Sequence, residues 1–290
     1  MTDAEVRTHE LELGGGATLR WYEAGASAAD AELTAMWHHG TPNTGEPPAP
    51  LIADAERRAE AGEGPRTRWL GFDRPGYGGS SDAGERSVAD VAPLAGRVLD
   101  EAGVDAAVMV GHSGGGPHAL ACAAVLGARV TRVVCAAGLA PRDADGLDWF
   151  DGMYAGGLLE LGAALKGEAS LRDVLEASEF DPRMFTASDM AALAGEWGWL
   201  NAIAAAGVAG GLSGFIGDDL AYVNPWGFEL ADVKAPVLLL HGADDRVVPL
   251  AHSRWLAERL PDVELRVVEG AGHISVLGDS RAIPLDTGAH

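Results

Sequence analysis

Val108-Met109-Val110-Gly111-His112-Ser113-Gly114-Gly115-Gly116-Pro117 is an apolar run that breaks into glycine and resumes as an Ala/Leu-rich segment ending at Leu126. β-branched residues before the break predict a strand, and Pro117 at a first-turn position predicts a helix after it. Gly111, Ser113 and Gly115 therefore fit a Gly-x-Ser-x-Gly turn between strand and helix. Such a turn strains the serine backbone, so the residues two before and two after must lack a Cβ. The serine hydroxyl is pushed clear of the sheet. The starting helix turns unpaired N–H groups toward it, which favours negative charge there, and makes the Gly114 N–H a candidate oxyanion donor.

Working outward, Glu10 to Leu13 and Ala17 to Glu23 flank Gly14-Gly15-Gly16 and predict an antiparallel hairpin. Leu33 to Trp37 reads as a buried strand running into His38-His39-Gly40-Thr41-Pro42-Asn43-Thr44-Gly45. Leu51 to Ala61 reads as a helix and Thr67 to Phe72 as a strand, followed by a Pro/Gly turn, Asp73 to Ser80, of the scaffold kind. Ser87 to Ala102 is expected as a helix despite Pro93, with Ser87 as its cap. Ala106 to Val110 feeds the serine turn; Val130 to Ala136, Pro236 to Leu240 and Val263 to Val268 are later apolar strands. Strands alternating with helices, and apolar without alternation, predict a mostly parallel central sheet with helices on both faces. Ligands on such sheets sit at the carboxyl ends of strands.

The alternation stops in the middle of the chain. Residues 141–230 are helical, interrupted by glycine, and hold 11 of the 18 aromatic residues. That pattern predicts an inserted helical cap on a core formed by residues 1–140 and 231–290, with at least two of the aromatics lining a pocket and the others packing the insertion.

The chain's 290 residues, 47% hydrophobic, suit one large α/β domain with an insertion. Its net charge of −22 argues against nucleic acid and anionic membrane as partners. The polar, acidic Met1 to Glu10 lacks the features of a secretory signal, and Cys122 and Cys135 read as buried small hydrophobes, so a cytoplasmic protein is expected. Asn201 to Gly217, the least charged long window, is too weakly apolar to hold a bilayer span. His38 and His39, adjacent on a strand, face opposite sides and cannot converge on one metal ion.

A serine hydroxyl needs a base to take its proton and a third group to orient that base. Downstream of Ser113, a strand ends in His241-Gly242-Ala243-Asp244-Asp245-Arg246-Val247-Val248-Pro249, offering two carboxylates. A later strand ends in Glu269-Gly270-Ala271-Gly272-His273. Spacing leaves Asp244 and Asp245 both open as the acid. His9, His118, His241, His252 and His290 read as surface or packing residues, and His112 as packing under the turn, since adjacent side chains diverge.

Five pieces in this order, His39-Gly40-Thr41-Pro42, Asp73 to Gly78, Gly111 to Gly115, Gly242 to Pro249 and Gly270 to His273, resemble the α/β-hydrolase family. Within it the chain is similar to the cap-bearing esterase, proline iminopeptidase and haloperoxidase-like branch. The resemblance implies the α/β-hydrolase fold, with Ser113 as nucleophile, His273 as base and Asp245 as orienting acid. It implies Thr41 N–H as the second oxyanion donor beside Gly114, and requires no metal or organic cofactor. The implied activity is hydrolysis of a small-molecule ester or amide by a monomer or homo-oligomer. Esterase is the leading expectation. An aminopeptidase would draw on Glu160, Glu176, Glu179 or Glu196 to hold an ammonium group, and a ligand receptor on the same scaffold is a third expectation. Two stretches depart from the pattern: Pro42 to Pro48 lacks the glycine-proline-glycine form of proline iminopeptidases, and Ile274 to His290 is short and polar where relatives carry a last helix.

Overall fold

The computed structural model describes residues 5–278. Eight strands form one sheet: β1 (Arg7–Gly14), β2 (Ala17–Gly25), β3 (Leu33–His38), β4 (Thr67–Phe72), β5 (Ala107–His112), β6 (Val130–Ala136), β7 (Val237–Gly242) and β8 (Val263–Val268). Their order is β1-β2-β4-β3-β5-β6-β7-β8. β2 runs antiparallel to β1 and β4, and β3 to β8 are mutually parallel, so the expected hairpin and parallel sheet are both present. The edge strand β1 alternates exposed charges with Leu11, which discourages pairing with a second chain.

The central strands are apolar without alternation because helices cover both faces. Val108 and Val110 of β5 point to one side, with Trp37, Trp69 and Leu238; Met109 points to the other, with Met36, Leu70 and Leu239. The first side is covered by α1 (Ala49–Glu60) through Leu51 and Ile52. The second is covered by α2 (Val91–Glu101) and α3 (Gly115–Leu126). Each such side chain, fully buried, contributes roughly 1.5–3 kcal/mol.

Helix α2 starts four residues later than the sequence suggests. Ser87 is not its cap: its N–H and hydroxyl both donate to Asp90 Oδ2, at 2.7 and 2.8 Å, in a turn that precedes the helix. Pro93 then falls in the first turn of α2, where its missing N–H has no partner to lose.

Between β6 and β7 the chain makes a helical excursion: α4 (Ala155–Ala164), α5 (Glu168–Ala177), α6 (Ala187–Ala194), α7 (Trp199–Ala209) and α8 (Ser213–Val223). Trp149, Leu161, Leu171, Ile216, Tyr222 and Trp226 pack a third apolar cluster within it. The Asn201 to Gly217 window spans α7 and α8, bent by 99°. Among the described residues no single helix is long and apolar enough to cross a membrane. The last helix α9 (Ala251–Ala257) lies between β7 and β8. Beyond His273 the chain turns once at Ser275–Gly278, and the rest of the departing C-terminal stretch lies outside the described residues.

Where α4 meets α8, Asp219 is buried with its Oδ2 lacking any hydrogen-bond partner among the described residues. Burial, then the charges of Glu160 and Asp218, holds its carboxyl well above the usual range, and burial pushes Glu160 up to about 7. A carboxyl whose pKa is raised by folding costs stability as pH climbs above its unfolded value, about 4. Asp219→Asn is therefore expected to raise Tm at pH 7, by roughly 2–4 °C per kcal/mol relieved, with the gain vanishing toward pH 4 in thermal melts.

The turn into α3 yields a second test. A Cβ on Gly115 would strike the carbonyl of His38, and one on Gly111 the carbonyl of Gly115, whereas a Cβ on Gly162 of α4 would meet open space. Gly115→Ala is expected to lower Tm by several degrees and Gly162→Ala to raise it slightly, by about 0.5–1 kcal/mol of helix propensity.

Candidate active site

Four parallel strands deliver the site residues at their carboxyl ends. β3 runs into His39-Gly40-Thr41, β5 into Ser113, β7 into the turn with Asp245, and β8 into the loop with His273. Pairing of His38 with Gly111 and of Gly242 with Val268 brings these ends to one rim of the sheet.

Ser113 has φ +55°, the left-handed region that side chains avoid at a cost of roughly 1–3 kcal/mol. Its N–H donates to Ala136 O at 2.9 Å and its carbonyl accepts from Gly116 N at 2.9 Å, so the strained turn is tied to β6 and α3. Burial of Cys135 beneath Gly116 completes the seat, since a Cβ on Gly116 would meet its sulfur.

His273 Nδ1 donates to Asp245 Oδ2 at 2.8 Å. The other carboxylate oxygen of Asp245 accepts from Val247 N at 2.8 Å and Val248 N at 3.0 Å, which fixes its rotation. Burial alone would raise the Asp245 pKa; the charge of His273 and the hydrogen bonds of His241 and His273 overcome it and hold the group well below the carboxylate range. Asp244, the alternative left open by spacing, points to solvent, and its amide donates to Ala271 O. Turn geometry thus separates two adjacent carboxylates.

The other histidines of the described residues make structural contacts. His112 donates from Nε2 to the His273 carbonyl at 2.9 Å, and burial pushes its pKa down to about 3, which keeps it neutral under the serine turn. His241 is wedged between Ser253 Oγ and Val248 O, at 2.7 and 2.8 Å, and stands 3.4 Å from Asp245. His252 accepts from Ala140 N and donates to Trp149 O, both at 3.0 Å. His118 is buried, and His9 stacks on Trp21. His290 lies outside the described residues. The His38 and His39 rings part as expected: one meets Met109 and Cys122, the other accepts from Arg74 N at 3.1 Å.

Sequence reading missed the cluster that holds the Thr41 loop. Asp218 of α8, wholly buried, accepts from Arg74, Arg86, Tyr77 and the Thr41 hydroxyl, the last at 2.7 Å. Tyr222 OH meets the same hydroxyl at 2.9 Å. Arg74 also donates to the carbonyls of His39 and Gly40. Burial works against the Asp218 charge, yet Arg74, His118 and Arg86 overcome it and hold the carboxyl well below its usual range. Among the described residues, the Thr41 and Gly114 amides have no protein acceptor. Asp218 sits in a mostly buried helix, Ser213 to Val223, beside a second aspartate, and no local pattern marks it.

Ser113, His273 and Thr41 border one cavity of about 530 Å³, walled by Phe180, Met184, Phe185, Leu193, Leu200 and Val208 from the helical excursion. Two of its 11 aromatics line the cavity; Trp149, Trp197, Tyr222 and Trp226 are packing residues. Besides Ser113, Thr41, His112 and His273, Asn43 and Asn201 are polar residues of its lining, and no Lys, Arg, Asp or Glu is among the lining residues. None of Glu160, Glu176, Glu179 and Glu196 is among its lining residues.

A mostly parallel sheet brings a strained serine and the histidine of a buried Asp–His pair to one cavity, which points to a hydrolase. The chain belongs to the α/β hydrolase fold family, whose sequence model matches residues 36–280. It is 29% identical, over 94% of its length and 91% of the relative's, to a 2-hydroxy-6-oxononadienedioate/2-hydroxy-6-oxononatrienedioate hydrolase of Paraburkholderia phymatum. A segment of 61 residues, 21% of the chain and 24% of the relative, is 44% identical to a pimeloyl-[acyl-carrier protein] methyl ester esterase of Aromatoleum aromaticum. The fold matches a thermophilic esterase of Thermogutta terrifontis with a TM-score of 0.67 at 18% identity, over 95% of both chains.

The Asp245 assignment is checked by the rate at which a fluorophosphonate probe labels Ser113. Asp245→Asn is expected to slow labelling by roughly 10³-fold or more. Asp244→Asn, at an exposed site, should leave it within about twofold.

Proposed function

We propose that the protein is a serine hydrolase that cleaves a small, uncharged carboxylic ester through Ser113, His273 and Asp245. The observation that carries this reading is the 2.8 Å bond from His273 to buried Asp245 at the wall of the cavity onto which Ser113 opens. With Nδ1 engaged by Asp245, the Nε2 side of the imidazole is available to a group in the cavity. His273 takes the Ser113 proton as the oxygen attacks the acyl carbon. The Thr41 and Gly114 amides, which lack protein acceptors, donate to the oxyanion, each worth roughly 3 kcal/mol of barrier when prealigned. His273 then protonates the leaving alcohol, and water releases the acyl group by the same route. The scheme calls on no metal or organic cofactor.

Residues 141–230 serve in this reading as the cap that defines the acyl pocket. Its walls are apolar, and the lining residues offer no cation to a substrate carboxylate. The name of the Paraburkholderia phymatum relative denotes a dicarboxylate; the cavity of this chain favours an uncharged acyl group instead, because a buried unpaired charge is costly. The same lining lacks the carboxylates that an aminopeptidase needs for a substrate ammonium group.

Steady-state turnover tests the reading on p-nitrophenyl acetate, butyrate, octanoate and hemisuccinate and on proline p-nitroanilide, with Ser113→Ala as the blank. The expected outcome is ester turnover abolished in the blank, with neutral esters preferred over the hemisuccinate by about tenfold or more in kcat/KM. Turnover that survives Ser113→Ala would remove the proposal.

A further inference from the structure

The loop that carries His273 is not held by the core alone. Asp189, in the first turn of α6, is almost completely buried and accepts five hydrogen bonds. Its Oδ2 takes Thr186 N at 3.0 Å and His273 N at 3.1 Å; its Oδ1 takes Ile274 N at 2.9 Å, Ser275 N at 2.8 Å and Ser275 Oγ at 2.8 Å. A carboxylate at this helix position ordinarily returns one bond to the capping residue, here Thr186. The other four all come from the His273 loop.

Two further hydrogen bonds belong to the same grip. Ser188 Oγ donates to Gly270 O at 3.0 Å, and Ser275 Oγ accepts from Gly272 N at 2.8 Å. A Cβ on Gly272 would run into the Asp189 carboxylate, so the glycine before His273 is what lets α6 come this close. Burial would raise the Asp189 pKa, but these donors prevail and leave it below the usual range, so the group stays charged.

We infer that Asp189 is a positioning residue through which the cap seats the base: Asp245 holds the imidazole from the core, while Asp189 holds the backbone beneath it from α6. The inference rests on the proposed role of His273. Lifting α6 off the core would strip His273, Ile274 and Ser275 of their shared acceptor, so a seated cap and a placed base become one condition. A misplacement on the order of 1 Å at a reacting group can cost about 10²-fold.

The test compares full-length wild type, Asp189→Asn, Thr186→Val and Ser113→Ala in kcat and KM on p-nitrophenyl butyrate, in the rate of fluorophosphonate labelling of Ser113, and in Tm. Asp189→Asn keeps the shape but sets an NH₂ group against backbone N–H donors. It is expected to lower kcat and the labelling rate about 10–100-fold, with KM within about twofold. Thr186→Val weakens the same helix cap and loses the bond to Ser188 Oγ but leaves all four bonds from the loop to Asp189 in place, so it should lower Tm with kcat and labelling near wild type. Wild-type rates in Asp189→Asn, or an equal loss in Thr186→Val, would overturn the inference. Should Asp189→Asn fail to fold, Ser275→Ala removes the hydroxyl that donates to Asp189 and accepts from Gly272 N, leaving the three backbone N–H bonds of the loop to Asp189 in place; a several-fold loss of kcat and labelling supports the role, and unchanged rates overturn it. Turnover surviving in Ser113→Ala would instead overturn the hydrolase reading itself, whereas Ser113-dependent turnover indifferent to Asp189 sinks the inference alone.

Discussion

A left-handed residue at the crossing from β5 to α3 is the constraint on which this molecule is arranged. Ser113 can hold φ +55° only because its neighbours leave room: Gly111 and Gly115 approach each other's backbone, Gly115 lies against the His38 carbonyl, and Gly116 rests on Cys135. These close approaches fix where α3 leaves the sheet and how near β3 lies to β5. The strain of roughly 1–3 kcal/mol is offset by the buried strands on either side, whose residues pack on both faces.

Charge is handled in a similar way, by burying it where geometry must be held. Asp218 of α8 gathers Arg74, Arg86, Tyr77 and Thr41; Asp189 of α6 gathers the His273 loop. Buried ion pairs are weak sources of net stability, since desolvation opposes their attraction. Their effect here is positional. Each carboxylate reaches from the helical excursion into a loop at the carboxyl end of the sheet, so two of the loops bordering the cavity are shaped by helices far away in sequence.

That division explains which parts could be read in advance. The strands were legible because their two-sided burial demands unbroken apolar runs, and the serine turn because glycines at fixed spacing have no substitute. Ser87 misled the reading of α2 only at its start: it donates to Asp90 in the preceding turn, so Asp90, not Ser87, stands just ahead of the helix. Thr186-Ala187-Ser188-Asp189 carries a capping-box pattern, yet the pattern announces a helix start and says nothing of a loop 84 residues later.

By itself, the sequence determined the parallel sheet, the strained serine, and the placing of a carboxylate pair and a histidine after later strands, because backbone sterics and two-sided burial act locally. Spacing left Asp244 and Asp245 both open and the family resemblance pointed to Asp245; tertiary structure buries Asp245 against His273 and leaves Asp244 exposed, a difference that the shared turn does not show. Tertiary structure alone decided which two aromatics face the cavity, and that Asp189 and Asp218 hold the loops. Hydrogen bonds between residues dozens to well over a hundred positions apart leave no periodicity in the chain, so their partners exist only once the helices have packed.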